Sequence, residues 1–249
     1  MKRTLLDMVQ DILNDMDADN VNSIQDTVES DQVANIVKSC YLEMMSNRNW
    51  PHMRKLCQMD AVNDLTKPNY LKIPVNLKEM VFFKYQVQKN ETDSPVVDTI
   101  KFLYPDEFLN VISRRSGDNV QIVTDFSGAP LPIYNDRAPQ YWTTFDDVHI
   151  VTDSYNQDID TTLQASRSLC MAFFMPTWTM EDEFIPDLPA EAFSALIEEA
   201  KSTAFVALKQ MANQKAEQKA NRQQRWLSRK AWTLQGGVRY DDYGRKGRR

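Results

Sequence analysis

From Ala190 to Leu234 the chain runs without a single Gly or Pro, and no other stretch constrains the fold as much. Phe193, Leu196, Ile197, Ala200, Ala204, Leu208 and Met211 recur at three- and four-residue spacing, the stripe of a helix with one buried face. Pro186-Asp187-Leu188-Pro189 leads into it; Pro189 suits a first helical turn and Glu191 suits the positive helix end. Beyond Asn213 helix formers continue, but the apolar positions shrink to Ala216 and Ala220. One helix over 190–229 would be about 60 Å long, whereas a compact chain of this length is about 45 Å across. The sequence therefore predicts a helix that outgrows its own globule, with a break near Asn213 as the alternative. A helix polar on all sides bridges to another body or is supported by another chain.

Helical periodicity also marks the N-terminus. Leu5, Val9, Ile12 and Met16 form a stripe with Leu6 and Leu13 beside it, and Thr4 and Asp7 have capping-box spacing. This reads as an amphipathic helix and not a signal peptide, because Asp7, Gln10 and Asp11 interrupt the apolar run. A second helix is expected from near Ser30, with Val33, Ile36, Val37, Cys40, Tyr41 and Met44 on one stripe. Asn49-Trp50-Pro51 should end it, since a residue before Pro resists helical dihedrals.

In the middle the period changes to two. Val81, Phe83, Tyr85 and Val87 alternate on one strand face. Hairpins are expected around Ser127-Gly128-Ala129-Pro130 and around Asp146-Asp147, and a last strand over Thr162 to Phe174. A short helix over Pro105 to Arg115 should turn Phe108, Leu109 and Ile112 inward. The expected fold is α+β: an antiparallel helical bundle with an inserted antiparallel β-domain, one long C-terminal helix and an extended basic C-terminal arm. The expected boundaries are 1–52, 53–175, 176–234 and 235–249.

The formal charge of -6 conceals an asymmetry. From Lys209 onward there are 12 Lys and Arg against 3 acids, leaving 17 basic and 32 acidic residues in 1–208. An acidic body with a basic tail bears on partners, not on fold. No window approaches 18 consecutive apolar residues, so no membrane partner is expected. The 3 cysteines (Cys40, Cys57, Cys170) are widely spaced, which argues against a zinc ribbon or disulfide scaffold and for buried thiols in a reducing compartment.

Catalytic signatures do not emerge. The chain has no G-x-G-x-x-G, P-loop, G-x-S-x-G or H-E-x-x-H pattern. His52 reads as part of a structural turn, and His149 as strand packing. Asp146-Asp147, Asp158/Asp160 and Glu181-Asp182-Glu183 lack calcium-loop spacing and read as solvated acidic faces. No enzyme activity, cofactor or metal is expected.

The C-terminal stretch is different. Trp226, Trp232, Tyr240 and Tyr243 interleave with Arg225, Arg229, Lys230, Arg239, Arg245, Lys246, Arg248 and Arg249. Gly236-Gly237 should stop the helix and release an arm reaching about 45 Å. Three uses fit: docking on an acidic protein, with ordering on binding; nucleic-acid binding through phosphates and base stacking; or a disordered solubilising tail. Docking leads, because Trp, Tyr and Arg carry most interface energy, and a solubilising tail has no need of two Trp and two Tyr.

With its two N-terminal helices, β-insert, long helix after Asp187-Leu188-Pro189 and basic aromatic end, the chain resembles phage head-to-tail adaptor proteins, in character tail tubular protein A of short-tailed phages. The stretches that carry the likeness are TLLDMVQDILNDMDADNVNSI, NWPHM, PTWTMEDEFIPDLPAEAFSALIEEAKSTAFVALKQ and RWLSRKAW with GGVRYDDYGRKGRR. The resemblance implies a virion protein assembled in the host cytoplasm. It implies a homo-oligomeric ring, usually of twelve copies, under the portal at the capsid vertex, with neighbouring adaptor subunits side by side. The arm would reach the portal protein, the β-domain would face the tail or nozzle protein, and genome DNA would pass through the channel without specific binding. The docking residues expected are Arg225, Trp226, Arg229, Lys230 and Trp232 at the helix end, then Arg239, Tyr240, Tyr243 and Arg245 on the arm. The alternative is a nucleic-acid-binding protein using the same tail.

Overall fold

The structure, a computed structural model, describes residues 2–87, 96–211 and 213–230, with the backbone alone at 228–230. In chain order its elements are α1 (Leu5–Asp15), α2 (Val28–Ser46), β1 (Arg54–Cys57), β2 (Asp60–Ala61), β3 (Tyr70–Lys72), β4 (Leu77–Gln86), β5 (Val97–Phe102) and α3 (Pro105–Ile112). There follow β6 (Val120–Thr124), β7 (Pro130–Tyr134), β8 (Tyr141–Thr143), β9 (His149–Thr152), β10 (Ser168–Phe174), α4 (Phe193–Lys209) and α5 (Gln214–Lys230). The described residues form a mixed α+β protein with a large curled eight-stranded sheet. The chain divides into two compact units, Met1–Met53 with Met175–Arg249, and Arg54–Phe174.

In the helical unit, α1 begins at a capping box: the Asp7 amide donates to Thr4 Oγ1 and the Thr4 amide donates to the Asp7 carboxylate. The next free amides, on Leu5 and Leu6, donate to the carbonyls of Phe184 and Asp182. The Asp182 carboxylate in turn accepts from Ser23 Oγ and the Ile24 amide, so it clamps a loop and is not part of a solvated acidic face. α2 starts two residues before Ser30, because Thr27 and Ser30 form a second capping box. It stops at Ser46, short of Asn49, and a 3₁₀ turn at Pro51–Met53 follows. That turn sets His52 Nε2 against the Asp187 carbonyl at 2.9 Å. Leu5, Met8, Val9, Ile12, Val33, Val37, Tyr41, Leu196, Ala200 and Ala204 are buried. Lys201, 8% exposed, meets Asp15 at 2.6 Å and Asp11 at 3.3 Å.

The long single helix is not what forms. The chain leaves α4 at Gln210, whose φ of 55° is left-handed, and the amides of Gln210 and Met211 both turn back onto the Phe205 carbonyl. α5 then packs against α4, with Lys219 reaching Glu198 at 2.9 Å and Gln224 reaching Glu199. Reversal buries Ala216, Ala220 and Leu227, which one continuous helix would have carried out of the globule. Pro189 lies in the turn before α4 and not in its first turn.

In the β-unit the sheet order is β1-β10-β4-β5-β8-β9-β3-β2, with β6-β7 as a separate hairpin. The expected all-antiparallel sheet is corrected at one place. β5 and β8 pair in parallel, Lys101 with Tyr141 and Phe102 with Trp142. The crossover between them contains α3 and the β6-β7 hairpin, as a parallel connection requires. Both predicted hairpins form, as β6-β7 and β8-β9. Val81 is exposed despite its alternation. Met171 pairs with Phe82 and Ala172 with Met80, so Val81 is the extra residue of a bulge and Met80 takes the inner side. Leu109 is also exposed, while Phe108 and Ile112 of α3 enter the core. The last strand begins at Ser168, after a 3₁₀ turn at Ala165–Arg167.

Candidate functional site

The exposed side of α5 carries the described part of the expected docking set. Asn213 begins the helix by accepting the Ala216 amide on its side-chain oxygen at 3.1 Å. With Ala216, Ala220 and Leu227 turned inward, Lys215, Lys219, Arg222 and Trp226 fall within about 60° of one another on the helix, and Arg225 borders them. Lys219 is engaged by Glu198. Lys215, Arg222 and Arg225 are exposed and have no ion-pair partner among the described residues. Trp226 is 48% exposed within this cationic face. Arg229 and Lys230 lie on the last described turn of α5, where the backbone alone is described. Trp232, Arg239, Tyr240, Tyr243 and Arg245, with the rest of the 235–249 arm, lie outside the described residues.

Beside that face a cavity of about 230 Å³ is lined by Cys40, Glu43, Met44, Asn47, Arg48 and Trp50, by Glu199 of α4, and by Asn221 and Gln224 of α5. The Arg48 guanidinium stacks 3.5 Å over the Trp50 ring. Burial, then the charges of Glu43 and Glu217, push the Glu199 carboxyl above its ordinary pKa. Cys40 is a buried thiol within reach of Thr203, pushed up chiefly by burial.

The β-unit holds a more apolar cavity of about 330 Å³, between Tyr70, Leu109, Phe126, Leu131, Phe145, His149 and Val151. His149 Nδ1 lies 2.6 Å from Asp146, and its ring stacks on Phe126 with centroids 4.4 Å apart. Asp146 also accepts the amides of Val148 and His149, so this exposed carboxylate closes the β8-β9 turn. Asp125 accepts from Tyr70 at 2.6 Å and from Ser127 Oγ at 2.6 Å. Burial raises the Asp125 carboxyl, but the donors from Ser127, Tyr70 and the Phe126 amide outweigh it and hold the pKa at about 2. The Ser127 hydroxyl proton is thus committed to a carboxylate, and the pocket offers aromatic surface with acceptors at its rim. His149 opens β9, in line with the expected strand packing, and the neighbouring Asp146 folds back across the turn to meet its ring.

Also missed was the buried pair of Arg115 and Asp153, at 2.7 Å with side chains 7% and 3% exposed. Asp153 further accepts the amides of Gln140 and Tyr141, and Arg115 stacks on Tyr134. The Asp160 carboxylate pairs with Arg167 at 2.6 Å, another acid that is bonded and not simply solvated. Among the described residues no group of three or more metal-ligating side chains occurs, and no helix is long and apolar enough to cross a membrane. Compared with known proteins, the chain matches no family model and no curated protein.

Proposed function

We propose that the chain is a structural subunit of a phage head-to-tail connector. In this reading it is a helical bundle with an inserted β-domain and a C-terminal arm. It docks on the portal protein through α5 and the arm, packs against neighbouring copies in a ring at the capsid vertex, and presents its β-unit to the tail or nozzle. The observation that carries the reading is the cationic face of α5. Lys215, Arg222, Arg225 and Trp226 stand exposed on an acidic body, and the sequence beyond them continues in Arg, Trp and Tyr. Opposed charge steers encounter and sets register, and aromatic and Arg anchors supply the interface energy. The resemblance in sequence layout supplies the identity of the partner.

Electron microscopy of isolated portal, mixed with the full chain or with a chain ending at Lys230, tests the proposal. The full chain should add a ring to the portal, and the shortened chain should not. Equal ring formation by both would overturn the role of the arm. A DNA-binding protein would instead bind duplex without portal, with affinity falling steeply in salt. That outcome would replace the adaptor reading.

A further inference from the structure

Two of the cysteines meet where the chain enters and leaves the β-unit. Cys57, the last residue of β1, stands opposite Cys170 of β10 in antiparallel register. Directly opposed residues on antiparallel strands have Cα atoms about 4.5–5.5 Å apart with side chains on one face, inside the span of about 4.4–6.8 Å that a disulfide bridges. The two thiols are free and stand on directly paired residues of the two strands. Cys170 is fully buried in the core of the β-unit. Cys57 is half-buried on β1, an outermost strand of the sheet, so a small reagent reaches it first. Cys40 belongs to the other unit and contacts Thr203.

We propose that Cys57 and Cys170 are a redox modification site that closes to a cross-strand disulfide, with a low-molecular-weight disulfide such as oxidised glutathione as oxidant. The Cys57 thiolate attacks one sulfur of the oxidant, forming a mixed disulfide and releasing one small thiol. Cys170 then attacks the Cys57 sulfur and expels the second. The pair loses two protons and two electrons, and one oxidant disulfide is reduced to two thiols. Burial pushes both thiols above their ordinary pKa, so closure is slow at neutral pH and quickens as pH rises. The bond would enclose almost the whole of the unit Arg54–Phe174 in one covalent loop, and long loops lose the most unfolded-state freedom when closed. The inference does not depend on the adaptor reading.

Incubation of the full chain in oxidised and reduced glutathione mixtures, followed by thiol counting and peptide mass mapping without reductant, tests it. Free thiols should fall from three to one, with a loss of about 2 Da and a linked Cys57–Cys170 peptide. The unfolding midpoint of the β-unit should rise by roughly 10 °C and return on reduction. In Cys57→Ser, Cys170 should remain an unmodified thiol. A lasting glutathione adduct on Cys57 beside free Cys170, a link through Cys40, or three free thiols at every ratio would each overturn the proposal. Mapping of the unmutated chain decides the matter even if a variant fails to fold.

Discussion

Asp153 gathers three donors, Arg115 through its guanidinium and the amides of Gln140 and Tyr141, at a site closed to solvent. Removing one partner of a buried pair strands the other charge. Asp153→Ala is therefore expected to lower the stability of the β-unit by about 3–5 kcal/mol in urea unfolding. Arg115→Met combined with Asp153→Leu should cost less than the single change, because no charge is then left buried. Asp125 makes a different prediction. Its pKa, held at about 2 in the folded chain, lies below the ordinary value of 3.8. A depressed carboxyl contributes stability fully above its unfolded pKa and loses it as pH falls through the folded one. Unfolding midpoints followed from pH 5 to pH 1.5 should decline between about pH 4 and pH 2, and Asp125→Asn should flatten that decline. Neither residue announced itself in sequence. Asp153 sits in a polar run that reads as a turn, and its partner lies 38 positions away; Asp125 looks like any loop acid until Tyr70 arrives from another strand.

Among the elements, the α4-α5 reversal rests on backbone geometry at Gln210 and on two small residues. Gln210 occupies a left-handed conformation that strains a side chain and suits glycine. Gln210→Gly should raise stability by about 0.5–1 kcal/mol in thermal unfolding, with unchanged helix content. Ala220, fully buried on the α5 face toward α4, leaves no room for growth. Ala220→Leu should cost about 1–3 kcal/mol and loosen α5. The same elements show what sequence reveals and what it hides. The α1 capping box and both hairpins were legible because their signals are local side chains and turn residues. α2 began early because its box uses Ser30 where Glu or Gln is the usual signal. The helix break was legible only as the alternative, because the sequence shows neither Gly nor Pro there and Asn213 alone marked it. The β4 bulge displaced Val81 through pairing with β10, which lies some ninety positions later.

Over the whole molecule, the cationic α5 face was legible as a charge asymmetry, whereas the His149 pocket and the cysteine pair were not, since each joins residues brought together by strand register. The division at Arg54 and Phe174 gives a prediction of its own. Arg54 of β1 pairs with Phe173 of β10, so the two ends of the β-unit are neighbours. Residues 54–174 expressed alone should therefore fold cooperatively, with one urea transition and native-like β circular dichroism.

Adjacent ends also fix how the β-unit meets a pulling force. Tension applied through the flanking chain would act across the first rung, Arg54 against Phe173, and open the strands one rung at a time toward Cys57 and Cys170. Peeling needs far less force than sliding two strands past each other, since the hydrogen bonds yield singly. The unit is thus mechanically soft along its own chain axis while its core remains intact, and a bond at the fourth rung would stop the tear after three.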